Sequence, residues 1–247
     1  MAKLDYVNNV LNKIGFNLER FNPRNNTALR RNILFNRLNI TLLIDVGANA
    51  GYYGKEIRKA GYKNKIISFE PIKNAFDVLL INTKKFKQWE AYNLALGVED
   101  TQTEINISEN SCSSSILNIL DTHTNAEKSA SYIGKQNITI KTLDSFIDTL
   151  SFKTHKEIYL KIDTQGFELE VLKGATKALT YINTIQLEMS LEPLYAQQAL
   201  YNEVFTFLWQ HGYTLIDIEP GFTDKHTGKL LQIDGIFRKT NINNTIS

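Results

Sequence analysis

The chain has 247 residues, 43% hydrophobic and 22% charged, with four prolines. This excludes a long disordered linker and leaves room for one well-cored α/β domain with a short extension. A net charge of +2 carries no broad electrostatic footprint for nucleic acid, and the lone Cys112 excludes an intrachain disulfide or a cysteine-based zinc site.

Residues 1–40 predict a helical extension. Leu4, Val7, Leu11 and Ile14 recur at helical spacing, and a polar Asn- and Arg-rich stretch follows near residues 22–27, so the segment reads as a lid or packing arm. Seven basic residues (Lys3, Lys13, Arg20, Arg24, Arg30, Arg31, Arg37) face only Asp5 and Glu19, giving a solvated face or a surface for an acidic partner or anionic lipid. The start MAKLDYVNNVLNKIGF lacks the apolar region of a secretory signal. No later segment approaches the ~20 apolar residues that span a bilayer, so the expectation is a cytoplasmic protein without a transmembrane segment.

From residue 41 to 240 the pattern is that of a single domain. LLIDV, KIISFE and WEAYNLALG read as three strands separated by helices, which implies parallel strands joined by right-handed crossovers. Residues 101–141 break the rhythm: TEINIS and NITIKTL alternate like strands around the loop SCSSS, predicting a small antiparallel insertion. The rhythm then resumes with the strand IYLKID, a helix over GFELEVLKGATKAL, the strand TIQLEMS, a helix over YNEVFTFLWQHG, and a final strand pair in TLIDIE and LQIDGIFRK. NINNTIS, residues 241–247, reads as a tail. The expected fold is Rossmann-like α/β, a mostly parallel sheet with an antiparallel C-terminal strand, helices on both faces and an N-terminal helical arm.

In LLIDVGANAGYYG a buried strand runs into a glycine-containing turn and then a helix, the context that makes such a motif informative. Gly47 and Gly51 allow the backbone to turn and to approach a ligand. Glu70, 23 positions after Gly47 at the end of the second strand, is placed to accept both hydroxyls of a ribose. A dinucleotide fingerprint needs a second glycine where this chain has Asn49, to let a pyrophosphate approach. S-adenosylmethionine has no pyrophosphate; it offers a ribose to Glu70, an ammonium to Asp45 and the turn carbonyls, and a sulfonium that favours a neutral or acidic pocket.

Methyl transfer from such a cofactor needs alignment and a place for any proton that the acceptor loses. Asp163 ends IYLKID beside a glycine-containing turn, Lys161 lies two residues earlier on the same face, and Glu188 sits near the end of the neighbouring TIQLEMS; these three are the catalytic candidates. Asp163 is also read as contacting the cofactor or capping the next helix. Glu168 and Glu170 read as first-turn carboxylates that complement the helix dipole, and His211 as a helix-end residue. His226 and Asp234 are lesser candidates for substrate contact, and Ser113, Ser114 and Ser115 read most simply as a solvated loop. The four histidines form no helical metal pair, so no metal ligands are assigned, although a divalent ion is compatible with the chemistry.

Taken together, DVGANAGYYG, SFEP, ALG, the run SSS, Leu143–Asp144, LKIDTQGFELEVLKGA, LEMS and IDGIF resemble the FkbM family of methyltransferases across residues 42–238. The resemblance implies a class I methyltransferase fold, S-adenosylmethionine as cofactor, and O-methylation of a hydroxyl on a sugar, glycan precursor or natural product. It adds Pro71 of SFEP and Ala95 of ALG to the cofactor residues Asp45, Gly47, Asn49, Gly51, Glu70 and Asp163. One departure is Gln165: many members read KIDVEG where this chain reads KIDTQG, a form similar to a subgroup of the family. The competing readings are a non-catalytic scaffold and a nicotinamide-dependent oxidoreductase, the latter disfavoured by Asn49 and the absence of a Tyr-x-x-x-Lys pair. Nucleic-acid methylation is disfavoured by the charge balance. The expected partner is a small-molecule or carbohydrate acceptor.

Overall fold

The computed structural model describes residues 2–19 and 21–240. The tail 241–247 and the side chain of Leu4 lie outside the described residues. The chain forms two compact units that divide between Leu38 and Asn39.

The first unit holds helix α1 (Ala2–Leu11), a 3-10 turn closed by Gly15 at φ 80°, and helix α2 (Thr27–Leu38). Helix α2 starts where it does because the Asn26 side chain accepts from the Leu29 amide at 2.7 Å, satisfying one free donor of the first turn. The polar stretch before it is thus a cap as well as a linker. Of the predicted apolar stripe, Val7 in α1 and Ile14 in the 3-10 turn are exposed.

The second unit is built on a seven-stranded sheet of order β3-β2-β1-β7-β8-β10-β9. It comprises β1 (Leu42–Val46), β2 (Lys65–Phe69), β3 (Trp89–Tyr92), β7 (Ile158–Ile162), β8 (Thr184–Ser190), β9 (Tyr213–Pro220) and β10 (Gln232–Lys239). The first five pair in parallel, and β10 runs antiparallel to both of its neighbours. This is a Rossmann-like, doubly wound order with an antiparallel strand near one edge. Strands β1 and β7 are buried along their whole length, because a central parallel strand is covered on both faces; hence the apolar runs LLIDV and IYLKI. Helices α3 (Tyr52–Lys59), α4 (Lys73–Thr83), α6 (Glu168–Lys173) and α7 (Tyr201–Gln210) connect the strands. From the adjacent pair β1 and β7 the chain winds outward in opposite directions, leaving a crevice at their C-terminal ends.

Two predicted elements end early, each because of a partner distant in sequence. WEAYNLALG is two strands: after β3, Asn93 donates to the carbonyls of Glu70 and Pro71 at 2.9 and 3.0 Å and turns the chain away. Ala95–Leu96 then forms β4 in a second sheet of order β4-β6-β5, with β5 (Thr101–Ser108) antiparallel to β6 (Tyr132–Lys141) and helix α5 (Asp121–Ala126) in the connection between them. The helix predicted over 166–179 stops at Lys173 and gives way to a 3-10 turn at Ala178–Thr180. At Gly174 a Cβ atom would lie 1.8 Å from the carbonyl oxygen of Gly97, so two backbones touch there. Among the described residues no helix is long and apolar enough to cross a membrane.

The Gly97–Gly174 contact predicts a steep penalty for a single methyl group. Gly174→Ala should cost on the order of 3 kcal/mol and lower the thermal midpoint by roughly 6–12 °C, whereas Gly134→Ala, with open space around its Cβ, should shift it little. Equal midpoints for the two variants in differential scanning calorimetry would contradict this contact.

Candidate cofactor and catalytic site

Strand β1 leaves the sheet at Val46 through Gly47 at φ 74°, Asn49 at φ 48° and Gly51 at φ 78°. Gly47 is required for two reasons: its backbone is left-handed, and a Cβ would sit 1.8 Å from the Asp163 carbonyl oxygen. A Cβ at Gly51 would meet Leu79 at 2.8 Å. Asn49 tolerates the left-handed conformation because its side chain bonds locally, its Oδ1 accepting from the Ala50 amide at 2.7 Å. The same side chain donates to Ser111 at 3.3 Å, tying the turn to the loop that carries Cys112.

Glu70 is held against this turn. Its Oε2 accepts from the Asn49 amide at 2.7 Å and its Oε1 from the Ile72 amide at 2.8 Å, so one carboxylate joins the glycine turn to the start of α4. Two of its roughly four lone-pair positions are used this way. Burial pushes its pKa up to about 7 against those two bonds. Pro71 accepts from Asn93 and Gln136 through its carbonyl, and Ala95 is buried beside Ile72 and Ala75.

The catalytic candidates come together on the other side of the crevice. Asp45 is fully buried on β1, 3.7 Å from the ammonium of Lys161, which donates to Asp163 at 3.1 Å. Burial raises the pKa of Asp45 despite Lys161, and its Oδ1 has no hydrogen-bond partner. Burial pulls Lys161 down, but Asp163 and Asp45 more than offset it and hold the amine above its usual range; it is an ammonium, a charge partner rather than a proton acceptor. Its charge also lies 5.3 Å from the ring centre of Tyr53. Glu188 on β8 accepts from Gln165 at 2.9 Å and Gln232 at 2.7 Å, and stands in register with Asp234 on β10. Burial, then the charges of Asp163, Asp234 and Glu168, hold its pKa well above the usual carboxylate range. The crevice therefore gathers Asp45, Asp163, Glu188 and Asp234 around a single ammonium.

The remaining candidates divide clearly. Glu168 is buried and caps its own turn, accepting from the amides of Thr164 and Gly166, while Glu170 pairs with Lys173. His211 bonds the Phe207 carbonyl at 2.8 Å at the end of α7, and His226 lies exposed in a turn organised by Asp224. The three serines are buried, unlike a solvated loop: Ser115 donates to the Gln165 carbonyl at 2.7 Å, Ser114 accepts from the Ser108 amide, and Ser113 accepts from Asn110. The sequence reading missed Tyr195 and Gln232 as partners of Gln165 and Glu188, and missed buried His123 beside Tyr195. Amides and tyrosines at long sequence separation carry no local pattern that would find them. Among the described residues no cluster of His, Cys, Asp and Glu is arranged to hold a metal ion.

The buried Glu70 has a measurable signature. Its pKa is about 7 when folded and 4.5 ordinarily, so between those values the folded protein holds a proton that the unfolded chain has released, and this contribution to stability falls as pH rises. His123, pulled down by burial to about 4, acts in the opposite direction, so the wild-type profile mixes both. Glu70→Gln isolates the first effect: relative to wild type, its stability should rise by about 2 kcal/mol between pH 5.5 and 8.5 in urea titrations. A difference independent of pH would contradict the burial of an ionisable carboxyl.

The family model for the methyltransferase FkbM domain matches residues 45–215. None of the curated proteins compared with the chain matches it. Among solved structures, the chain is similar to methyltransferase FkbM from Methylobacillus flagellatus, with 14% identity, 80% of this chain and 43% of that chain covered, and a TM-score of 0.48. It thus spans less than half the length of that protein. It is also similar to magnesium protoporphyrin IX methyltransferase from Synechocystis with bound S-adenosylmethionine, with 8% identity, coverage of 87% and 77%, and a TM-score of 0.48. With the family model matching more than half of its length, the chain belongs to the FkbM methyltransferase domain family.

Proposed function

We propose that this methyltransferase uses S-adenosylmethionine to O-methylate a hydroxyl of an uncharged polyhydroxyl acceptor, such as a sugar, a glycan precursor or a natural product. The observation that carries the proposal is the pairing of a glycine turn locked to Glu70 with a crevice of four carboxylates around one ammonium. When bound, the cofactor supplies a methyl group already activated on a sulfonium. The residues fit such a group. Glu70 keeps lone pairs for ribose hydroxyls, and Gly47, Asn49, Gly51, Pro71 and Ala95 would hold the rest of the cofactor. Asp45, whose buried Oδ1 lacks a hydrogen-bond partner, would hold the cofactor's ammonium. The excess of negative charge favours a cation.

The chemistry left to the protein is alignment and proton removal. Asp163 is the more exposed member of its pair with Lys161, at 37% against 9% of the side chain, and so faces the acceptor. Glu188, whose proton affinity is raised by burial and its acidic neighbours, takes the proton of the acceptor hydroxyl. Lys161 holds Asp163 in place as an ion pair. The same negative crevice disfavours phosphate-rich acceptors, which argues against nucleic acid. The Asn49–Ser111 bond closes the turn where a dinucleotide pyrophosphate would approach, which argues against an oxidoreductase. The single cysteine suits a cytoplasmic enzyme.

The test is transfer of labelled methyl to a panel of neutral sugars and glycans, sugar phosphates, and RNA. Neutral hydroxyl acceptors should be labelled, and Asp163→Asn or Glu188→Gln should slow transfer by about 100-fold or more, with cofactor affinity changed much less. Labelling confined to RNA or to phosphorylated sugars would overturn the acceptor class.

A further inference from the structure

Gln165 stands where two strand ends meet. Its side-chain nitrogen donates to Asp163 Oδ1 and to Glu188 Oε2, both at 2.9 Å, so each amide hydrogen serves one carboxylate. Its side-chain oxygen accepts from the hydroxyl of Tyr195, a fully buried residue, at 2.8 Å. Its backbone is fixed as well: φ is 55°, in the left-handed region, and Ser115 donates to its carbonyl at 2.7 Å. Every polar atom of the side chain is therefore directed. Flipping the amide would set its oxygen against two carboxylate oxygens and turn its nitrogen toward Tyr195.

We propose that Gln165 is a positioning residue: its amide, oriented by Tyr195, bridges Asp163 and Glu188 and holds the two carboxyl groups side by side in the part of the crevice where the cofactor's sulfonium would lie. The proposal rests on the site reading above and adds to it how two like charges remain close together. A carboxylate at position 165 would offer no donor and add a third negative charge. An apolar residue would leave the pair without its shared donor, and the proton affinity of Glu188, already raised by burial and its acidic neighbours, would rise further. The charged groups that bear on this pair are Lys161 on β7, Asp45 on β1, Asp234 on β10 and Glu168 at the start of α6; Gln232 gives Glu188 a second donor at 2.7 Å.

The consequence is a preference for charge rather than for shape. S-adenosylmethionine and its demethylated product S-adenosylhomocysteine differ at the sulfur, positive in one and neutral in the other. Isothermal titration of both into full-length wild type, Gln165→Met and Tyr195→Phe, at pH 6, 7.5 and 9, reads the effect directly, with thermal midpoints confirming that each variant folds. At pH 7.5 Gln165→Met should bind S-adenosylmethionine about tenfold more weakly and S-adenosylhomocysteine within about twofold of wild type. The loss should shrink at pH 9 as Glu188 ionises. Tyr195→Phe, which keeps the buried ring, should move the same way by a smaller factor, and it carries the test if Gln165→Met does not fold. Equal weakening of both ligands at every pH would assign Gln165 to packing and overturn the proposal, as would wild-type affinities in both variants. A wild type that binds neither ligand would overturn the site reading itself.

Discussion

The contact on which the site depends is between two backbones. Gly47 and the carbonyl of Asp163 approach so closely that a single Cβ at position 47 would lie 1.8 Å from the oxygen. Because β1 and β7 are neighbours, and Asp163 donates its amide to the Val46 carbonyl at 3.0 Å, the two turns leave the sheet together. One turn carries the Asn49–Glu70 lock and the other carries Asp163, Gln165 and the start of α6. Without the glycine these halves would be pushed apart, and the crevice at the point where the chain winds in opposite directions would lose its shape.

Charge is the second organising feature. A buried carboxylate is unfavourable unless it is paired or hydrogen-bonded, yet this crevice gathers Asp45, Asp163, Glu188 and Asp234 around Lys161 and backs them with Glu70 and Glu168. Burial raises the proton affinity of most of these groups. Such an arrangement lowers stability at neutral pH and is expected where function rather than folding selects the residues. A cationic ligand would relieve it. The amides of Gln165 and Gln232, and the backbone donors to Glu70, are the neutral means by which the negative charges are held apart and in place.

What was legible in the sequence is what local chemistry dictates. The two all-buried strands announced themselves as apolar runs because a parallel strand is covered on both faces. The glycine turn and Glu70 followed from a strand-to-helix context in which positive φ is needed. Features set by distant partners were not legible. The break between Tyr92 and Ala95 arises because Asn93 bonds carbonyls more than 20 positions away, and the early end of α6 arises because Gly174 meets Gly97. The serine run looked like a solvated loop, since nothing near it in sequence shows that Ser115 bonds the carbonyl of Gln165, 50 positions away. Gln165 was visible only as a departure from KIDVEG; its meaning depends on Tyr195 and Glu188, 30 and 23 positions away.

The central claim is that the turn joined to Glu70 binds S-adenosylmethionine, and the most direct measurement is isothermal titration of the purified protein with that cofactor, with NAD as control and Glu70→Ala alongside. Saturable binding of S-adenosylmethionine but not NAD, lost in the folded Glu70→Ala variant, is the result this account predicts. A well-folded wild type that binds neither, or that binds NAD instead, would contradict it and leave a scaffold or an oxidoreductase as the better reading of the same fold.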